Sequence, residues 1–201
     1  MEEIQSGVNI FKRITEKLTH RKEAKHEINR EGHTDGCEPC GNNGLAILFY
    51  SDESGDRFSP PEITSQTQLN SEPLRLENLG GKVVMVEFWT FGCWNCRNVE
   101  SYVQEWHEKY AKQGLVVIAG HSPEFKYEYD VEKVKGYIHD YRIPYAVSID
   151  NEFRNWRQYR NHYWPTLYLI DKRGVIQYVR IGEGGYEETE QTIQRLLAEA
   201  A

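Results

Sequence analysis

The sequence predicts an α/β fold made of a parallel βαβ unit, an α/β insertion and then an antiparallel β-hairpin with a helix. Three observations carry this. Val83-Val84-Met85-Val86-Glu87-Phe88-Trp89 and Leu115-Val116-Val117-Ile118-Ala119 are continuous β-branched and aromatic runs, the pattern of strands buried on both faces. Between them Val99, Tyr102, Val103, Trp106 and Tyr110 recur at offsets of three, four, seven and eleven, one apolar helical stripe that ends near Gly114. Toward the C-terminus Thr166 to Ile170 and Val175 to Arg180 are two runs joined by Asp171-Lys172-Arg173-Gly174, whose turn chemistry suits a hairpin.

Strand, helix and strand in that order make a right-handed parallel unit, entered through the Gly80-Gly81 turn. Further along, Val131 to Tyr141 reads as a helix and Ala146 to Ile149 as a short strand. Asn151 to Arg160 reads as a helix capped by Asp150 or Asn151. The chain turns at Trp164-Pro165, and a last helix runs from about Tyr186 to Ala198.

Upstream the pattern is weaker. From Val8 to Arg30 the apolar positions Ile10, Phe11, Ile14, Leu18 and Ile28 give a helix with a fading stripe. Glycines then surround Cys37-Glu38-Pro39-Cys40, Leu45 to Tyr50 reads as a short strand, and Ser59-Pro60-Pro61 is a connector. The expected organisation is therefore an N-terminal extension over 1–59 and a main domain over 60–201.

Apolar residues make up 39% of the 201, ample for a core, and 24 basic against 31 acidic residues give a formal charge of −7. That balance disfavours phosphate backbones and anionic membrane surfaces, so neither nucleic acid nor membrane insertion is expected. No stretch approaches the roughly 20 apolar residues of a membrane helix, and Met1-Glu2-Glu3-Ile4 lacks a signal-peptide plan. Taken as written, the chain is expected to be cytoplasmic; an excised or processed domain would be extracytoplasmic.

Four cysteines form two Cys-x-x-Cys pairs, too closely spaced to staple a chain, so they read as redox or metal chemistry. Cys93-Trp94-Asn95-Cys96 stands where a core strand ends and a long helix begins. The first sulfur is thus expected over free amides at the positive helix end, where a thiolate is stabilised. Cys93 is expected to attack a substrate disulfide and Cys96, one turn inside, to resolve the mixed disulfide. The flanking strand and helix favour this over half a zinc site, and no metal or cofactor is called for. Glu87 interrupts an apolar run six residues before Cys93, where burial raises a carboxylate toward the range of a proton acceptor for Cys96. Its alternative is a strand-end acid bonded to solvent or Lys82. Pro165 at the entry of a core strand suggests a cis bond, against the alternative of a plain strand-start proline, and if it lies opposite Cys93 it would border an extended substrate. Trp164 with Trp89, Trp94 and Asn95 would meet the substrate there.

These residues resemble the redoxin branch of the thioredoxin superfamily, the TlpA-like proteins, and most closely the thioredoxin-like domain of DipZ-type proteins. The resemblance covers about residues 60 to 195. It rests on Gly81-Lys82-Val83-Val84, Glu87-Phe88-Trp89-Thr90, the Cys93 to Cys96 motif, Gly120-His121-Ser122-Pro123-Glu124-Phe125, Tyr163-Trp164-Pro165-Thr166 and Gly182-Glu183-Gly184-Gly185-Tyr186. It implies a thioredoxin-like fold of three α/β/α layers around a mixed central sheet, a thiol-disulfide oxidoreductase with Cys93 and Cys96 as the redox pair, a cis Pro165 facing them, and Glu87 in place of the usual buried Asp. It also implies an insertion over 121–149 with Glu124 near the site. The implied partners are a disulfide-containing protein and an external electron donor.

The other pair is open. Cys37 and Cys40, with His33 upstream, fit an auxiliary thiol relay, an incomplete metal site, or a loop without chemistry. Two rival functions follow: a redoxin-type thiol peroxidase, and a non-catalytic zinc adaptor using both pairs. The first lacks a proline and threonine ahead of the nucleophile, since Trp89-Thr90-Phe91-Gly92 stands there. The second needs thiolates that a helix already claims.

Overall fold

The computed structural model describes residues 46–48, 59–65 and 67–200. The expected helix over 8–30, His33, Cys37 and Cys40 lie outside the described residues. Among the described residues seven strands form one sheet: β1 (Ala46–Leu48), β2 (Gln68–Leu69), β3 (Val83–Trp89), β4 (Leu115–His121), β5 (Ala146–Ile149), β6 (Thr166–Ile170) and β7 (Ile176–Ile181). Their order is β1-β7-β6-β3-β4-β5-β2. Helix α1 (Trp94–Tyr110) links β3 to its parallel neighbour β4, and α2 (Val131–Asp140) links β4 to its parallel neighbour β5. α3 (Arg154–Gln158) precedes β6, which runs antiparallel to β3, and α4 (Tyr186–Ala198) follows β7. The parallel and antiparallel halves are those the apolar runs predict, and the mixed sheet is the one the resemblance implies. β1 adds an edge strand from within the stretch where a short strand is expected.

Period-two alternation assigns β3 to two cores. Val83, Met85 and Trp89 pack with Cys96, Val99, Val103 and Trp106 of α1, together with Ile193 and Leu196 of α4. Val84, Val86 and Phe88 face the other way, onto Ile63, Tyr159 and Tyr168. Glu87 shares the parity of Met85 and Trp89, which aims its carboxyl at the first turns of α1.

One helix boundary differs from expectation. Asn151 to Arg160 is helical only over Arg154–Gln158, because Phe153 takes a left-handed φ of 55° just before it. Asp150 still satisfies the first turn from a distance: its Oδ1 accepts from the Asn155 amide at 3.1 Å and its Oδ2 from the Trp156 amide at 2.9 Å. The cap is real, but it bridges an intervening turn instead of abutting the helix.

The β6–β7 hairpin is held by Asp171, buried at the turn. Its carboxylate accepts from the amides of Arg173 at 2.9 Å and Val175 at 3.0 Å and from the Arg173 guanidinium at 2.8 Å. Burial pushes this carboxyl up, but the bonds from Val175, Arg173 and Gln177 outweigh burial and leave it below its ordinary value. A depressed carboxyl contributes stability above its unfolded value, lost as pH falls through the folded one. Asp171→Asn is therefore expected to cost about 1–3 kcal/mol at neutral pH, read as a lower urea midpoint, with the difference shrinking in strong acid.

Candidate active site

Parallel β3 and antiparallel β6 bring two loops to one end of the sheet. The register pairs Phe88 with Thr166, so the residues after Trp89 lie beside those before Thr166. Thr90 to Cys93 occupy the first loop and Tyr163 to Pro165 the second.

Cys93 is the N-cap of α1, with extended backbone at φ −75° and ψ 120°. Its sulfur accepts from the Cys96 amide at 3.3 Å, the place a Ser or Asp oxygen usually takes. The loop is fixed by the Cys93 amide donating to the Thr90 carbonyl at 3.3 Å and by Arg97 Nε donating to the Phe91 carbonyl at 3.0 Å. Both thiols are free; Cys93 is half-buried and Cys96 is 2% exposed.

This asymmetry separates the two sulfurs electrically. The Cys93 thiol is held below its ordinary range, chiefly by a hydrogen bond from the Cys96 thiol and then by the Cys96 and Asn95 amides, against burial and the Glu124 carboxylate. Burial pushes the Cys96 thiol well up, aided by its bond to Cys93 and by the negative charge of Cys93. The outer sulfur therefore gives up its proton more readily than the inner one.

Glu87 is 2% exposed, and burial pushes its carboxyl up to about 8, with Glu100 and Cys93 adding to the rise. A group with that value takes and gives protons near neutrality. Glu100 is a second buried acid, one turn beyond Cys96 on α1. It accepts from the Tyr137 hydroxyl at 2.7 Å and from Gln104 at 3.2 Å, and burial raises its carboxyl also. An acid beside the stripe of Val99 and Val103 is the signal by which the sequence could have disclosed it.

The Trp164–Pro165 peptide is cis, as expected, and the Pro165 carbonyl accepts from the Gly182 amide at 2.8 Å. The half-buried Trp164 donates its indole N–H to the Ser122 carbonyl at 2.9 Å. Trp94, at 73% exposure, and Asn95 are open to a partner. Trp89 is not: at 3% exposure it packs into the first core, because its run is buried on both faces, so it supports the loop from beneath rather than meeting substrate.

Residues near the start of the expected insertion also reach the site. Glu124 is exposed and close enough for its charge to act on Cys93. Two buried polar residues, His121 and Glu128, also border the loop. His121 is buried, kept neutral by burial at about 4, with Nε2 3.2 Å from the Thr90 hydroxyl and its ring stacked on Phe91. Glu128, fully buried, bonds the amide of Gly92. His121 could have been suspected from its place at a strand end; Glu128 sits among charged and tyrosine residues that read as surface.

The fold and the free thiol pair define a thioredoxin-like protein. A family model described as the AhpC/TSA family matches residues 58–179, and the chain belongs to that family. It is 38% identical over 130 residues to protein DipZ of Mycobacterium tuberculosis, covering 65% of this chain and 19% of the relative, so it spans about a fifth of DipZ. It is 30% identical over 140 residues to the thiol-disulfide oxidoreductase YkuV of Bacillus subtilis, covering 69% of this chain and 94% of YkuV. The crystal structure of a thioredoxin-like superfamily protein superposes with a TM-score of 0.67 at 26% identity, covering 72% of this chain and 99% of that one.

Proposed function

We propose that the protein is a thiol-disulfide oxidoreductase that reduces disulfides in protein substrates through Cys93 and Cys96. The observation that carries this reading is the contrast between the two sulfurs: one half-open and held by helix amides, the other buried with its proton. The relatives whose names include thiol-disulfide oxidoreductase support it.

In the proposed cycle the Cys93 thiolate attacks one sulfur of a substrate disulfide. That S–S bond breaks, the second substrate sulfur leaves as a thiolate, and a mixed disulfide forms. Cys96 then loses its proton to Glu87 and attacks Cys93 Sγ. The mixed disulfide breaks, the substrate leaves with two reduced sulfurs, and the pair is oxidised to a Cys93–Cys96 disulfide. An external dithiol donor supplies the two electrons that restore it. Pro165 and Trp164 border the substrate opposite Cys93, while Trp94 and Asn95 offer it an open face. Among the described residues no helix is long and apolar enough to cross a membrane.

Reduction of insulin disulfides with dithiothreitol as donor tests the proposal. Turnover well above the dithiothreitol background is expected, and turnover on hydrogen peroxide should be at least about tenfold lower per active site, as one decade of rate is 1.4 kcal/mol of barrier. Peroxide consumption exceeding insulin reduction would replace this reading with a thiol peroxidase.

A further inference from the structure

We propose that Glu128 is a positioning residue of the redox site, a buried carboxylate clamp that fastens the segment after β4 to the loop carrying Cys93. The inference rests on the reading of Cys93 as the attacking thiol.

Glu128 is 0% exposed, and its carboxylate gathers three backbone donors from two distant pieces of chain. Oε1 accepts from the Gly92 amide at 2.7 Å, while Oε2 accepts from the amides of Glu124 at 2.6 Å and Phe125 at 2.8 Å. Among the described residues its partners are amides, not cations. A carboxylate is buried at such cost only where its oxygens are saturated, and here they are.

The glycine at 92 belongs to the same device. A Cβ there would collide with Glu128 Oε1 and with the Tyr127 hydroxyl, so this close approach requires a residue without one. The segment is anchored on its far side too: Ser122 accepts from Trp164, and Tyr129 accepts from the Asn151 side chain at 2.8 Å. The anchored segment therefore spans both loops of the site, and Gly92 is the residue through which it reaches Cys93. Without the clamp the Thr90–Cys93 loop keeps its contacts to His121 and Arg97 at Thr90 and Phe91 but loses the tie at Gly92, next to the sulfur, which is then held less firmly over the Cys96 amide.

An amide side chain separates the two halves of the clamp. Glutamine offers one acceptor oxygen; turned toward Glu124 and Phe125 it satisfies two donors, leaving its NH2 facing the Gly92 N–H. Glu128→Gln thus keeps the segment's own fold and cuts the tie to Cys93. In the reduced protein, the pH midpoint of Cys93 alkylation by iodoacetamide is expected to rise by about one unit, with alkylation at pH 6 slowed about tenfold. Hydrogen exchange at Gly92 should accelerate while that at Phe125 stays slow. Cys93→Ser identifies the signal. A folded Glu128→Gln protein with an unchanged midpoint overturns the clamp and leaves a merely structural acid. Should the variant not fold, Gly92 exchange in the wild type decides: protection equal to that of Phe125 is required, and fast exchange overturns it. An ordinary thiol midpoint in the wild type would instead sink the assignment of Cys93.

Discussion

Cys93→Ser is expected to lower disulfide reduction by at least about a thousandfold, because a serine hydroxyl stays protonated at neutral pH and no other described thiol is both open and activated. Cys96 cannot substitute, being 2% exposed and held protonated by burial. Cys96→Ser should behave differently. Attack by Cys93 is retained, although the thiol bond that helps stabilise its thiolate becomes a hydroxyl bond, and resolution is lost. The expected product is a covalent complex between protein and substrate, seen as one added substrate mass and released by dithiothreitol. Persistent turnover in Cys93→Ser would remove the redox role of this pair, and such turnover would turn attention to Cys37 and Cys40. A trapped complex in Cys93→Ser but not in Cys96→Ser would reverse the order of the two sulfurs.

Much of this site was legible because it follows from local rules. A two-faced apolar run, a Cys-x-x-Cys and an amphipathic stripe in succession dictate a sulfur at a helix N-terminus, and Cys93 occupies the N-cap. The helix over Tyr186–Ala198 was equally plain, since its stripe begins straight after Gly184-Gly185. What escaped depends on partners far along the chain. Glu128 looks like a surface residue because the groups that make its burial tolerable are backbone amides, one of them at Gly92, and amides have no signature in sequence. Trp89 departs from expectation for the converse reason: nearness to the motif suggests substrate contact, whereas its strand parity points it into the core. The two-residue strand Gln68–Leu69 is too short to carry a period, and Phe153 gives no sign of the left-handed turn that delays α3.

Glu87→Gln carries the second large effect, and it acts on rate and stability in opposite directions. With its carboxyl at about 8, Glu87 is mostly protonated in the resting reduced protein at pH 7, yet it lies close enough to ionisation to accept a proton when Cys96 is deprotonated for attack. Removing a positioned acid-base group costs typically 10²–10⁴ in the step it serves. Resolution of the mixed disulfide should therefore slow by about a hundredfold, while alkylation of Cys93 changes by less than about threefold. The two steps separate in a stopped-flow trace as fast mixed-disulfide formation followed by slow release. Equal slowing of both would reduce Glu87 to a packing residue.

The stability change has a fixed sign. A carboxyl raised from 4.5 to about 8 binds its proton more tightly when folded, so its contribution is fully present below pH 4.5 and is lost as pH rises through about 8. Each unit of displacement is worth about 1.4 kcal/mol, which makes the loss a few kcal/mol across that window. Glu87→Gln cannot ionise. Its urea midpoint should match that of the wild type near pH 4 and exceed it by pH 9, flattening the decline between those limits. A wild-type protein whose midpoint does not fall between pH 5 and 8 would mean that Glu87 is charged and paired in the fold, and it would then have no proton-accepting capacity to lend Cys96.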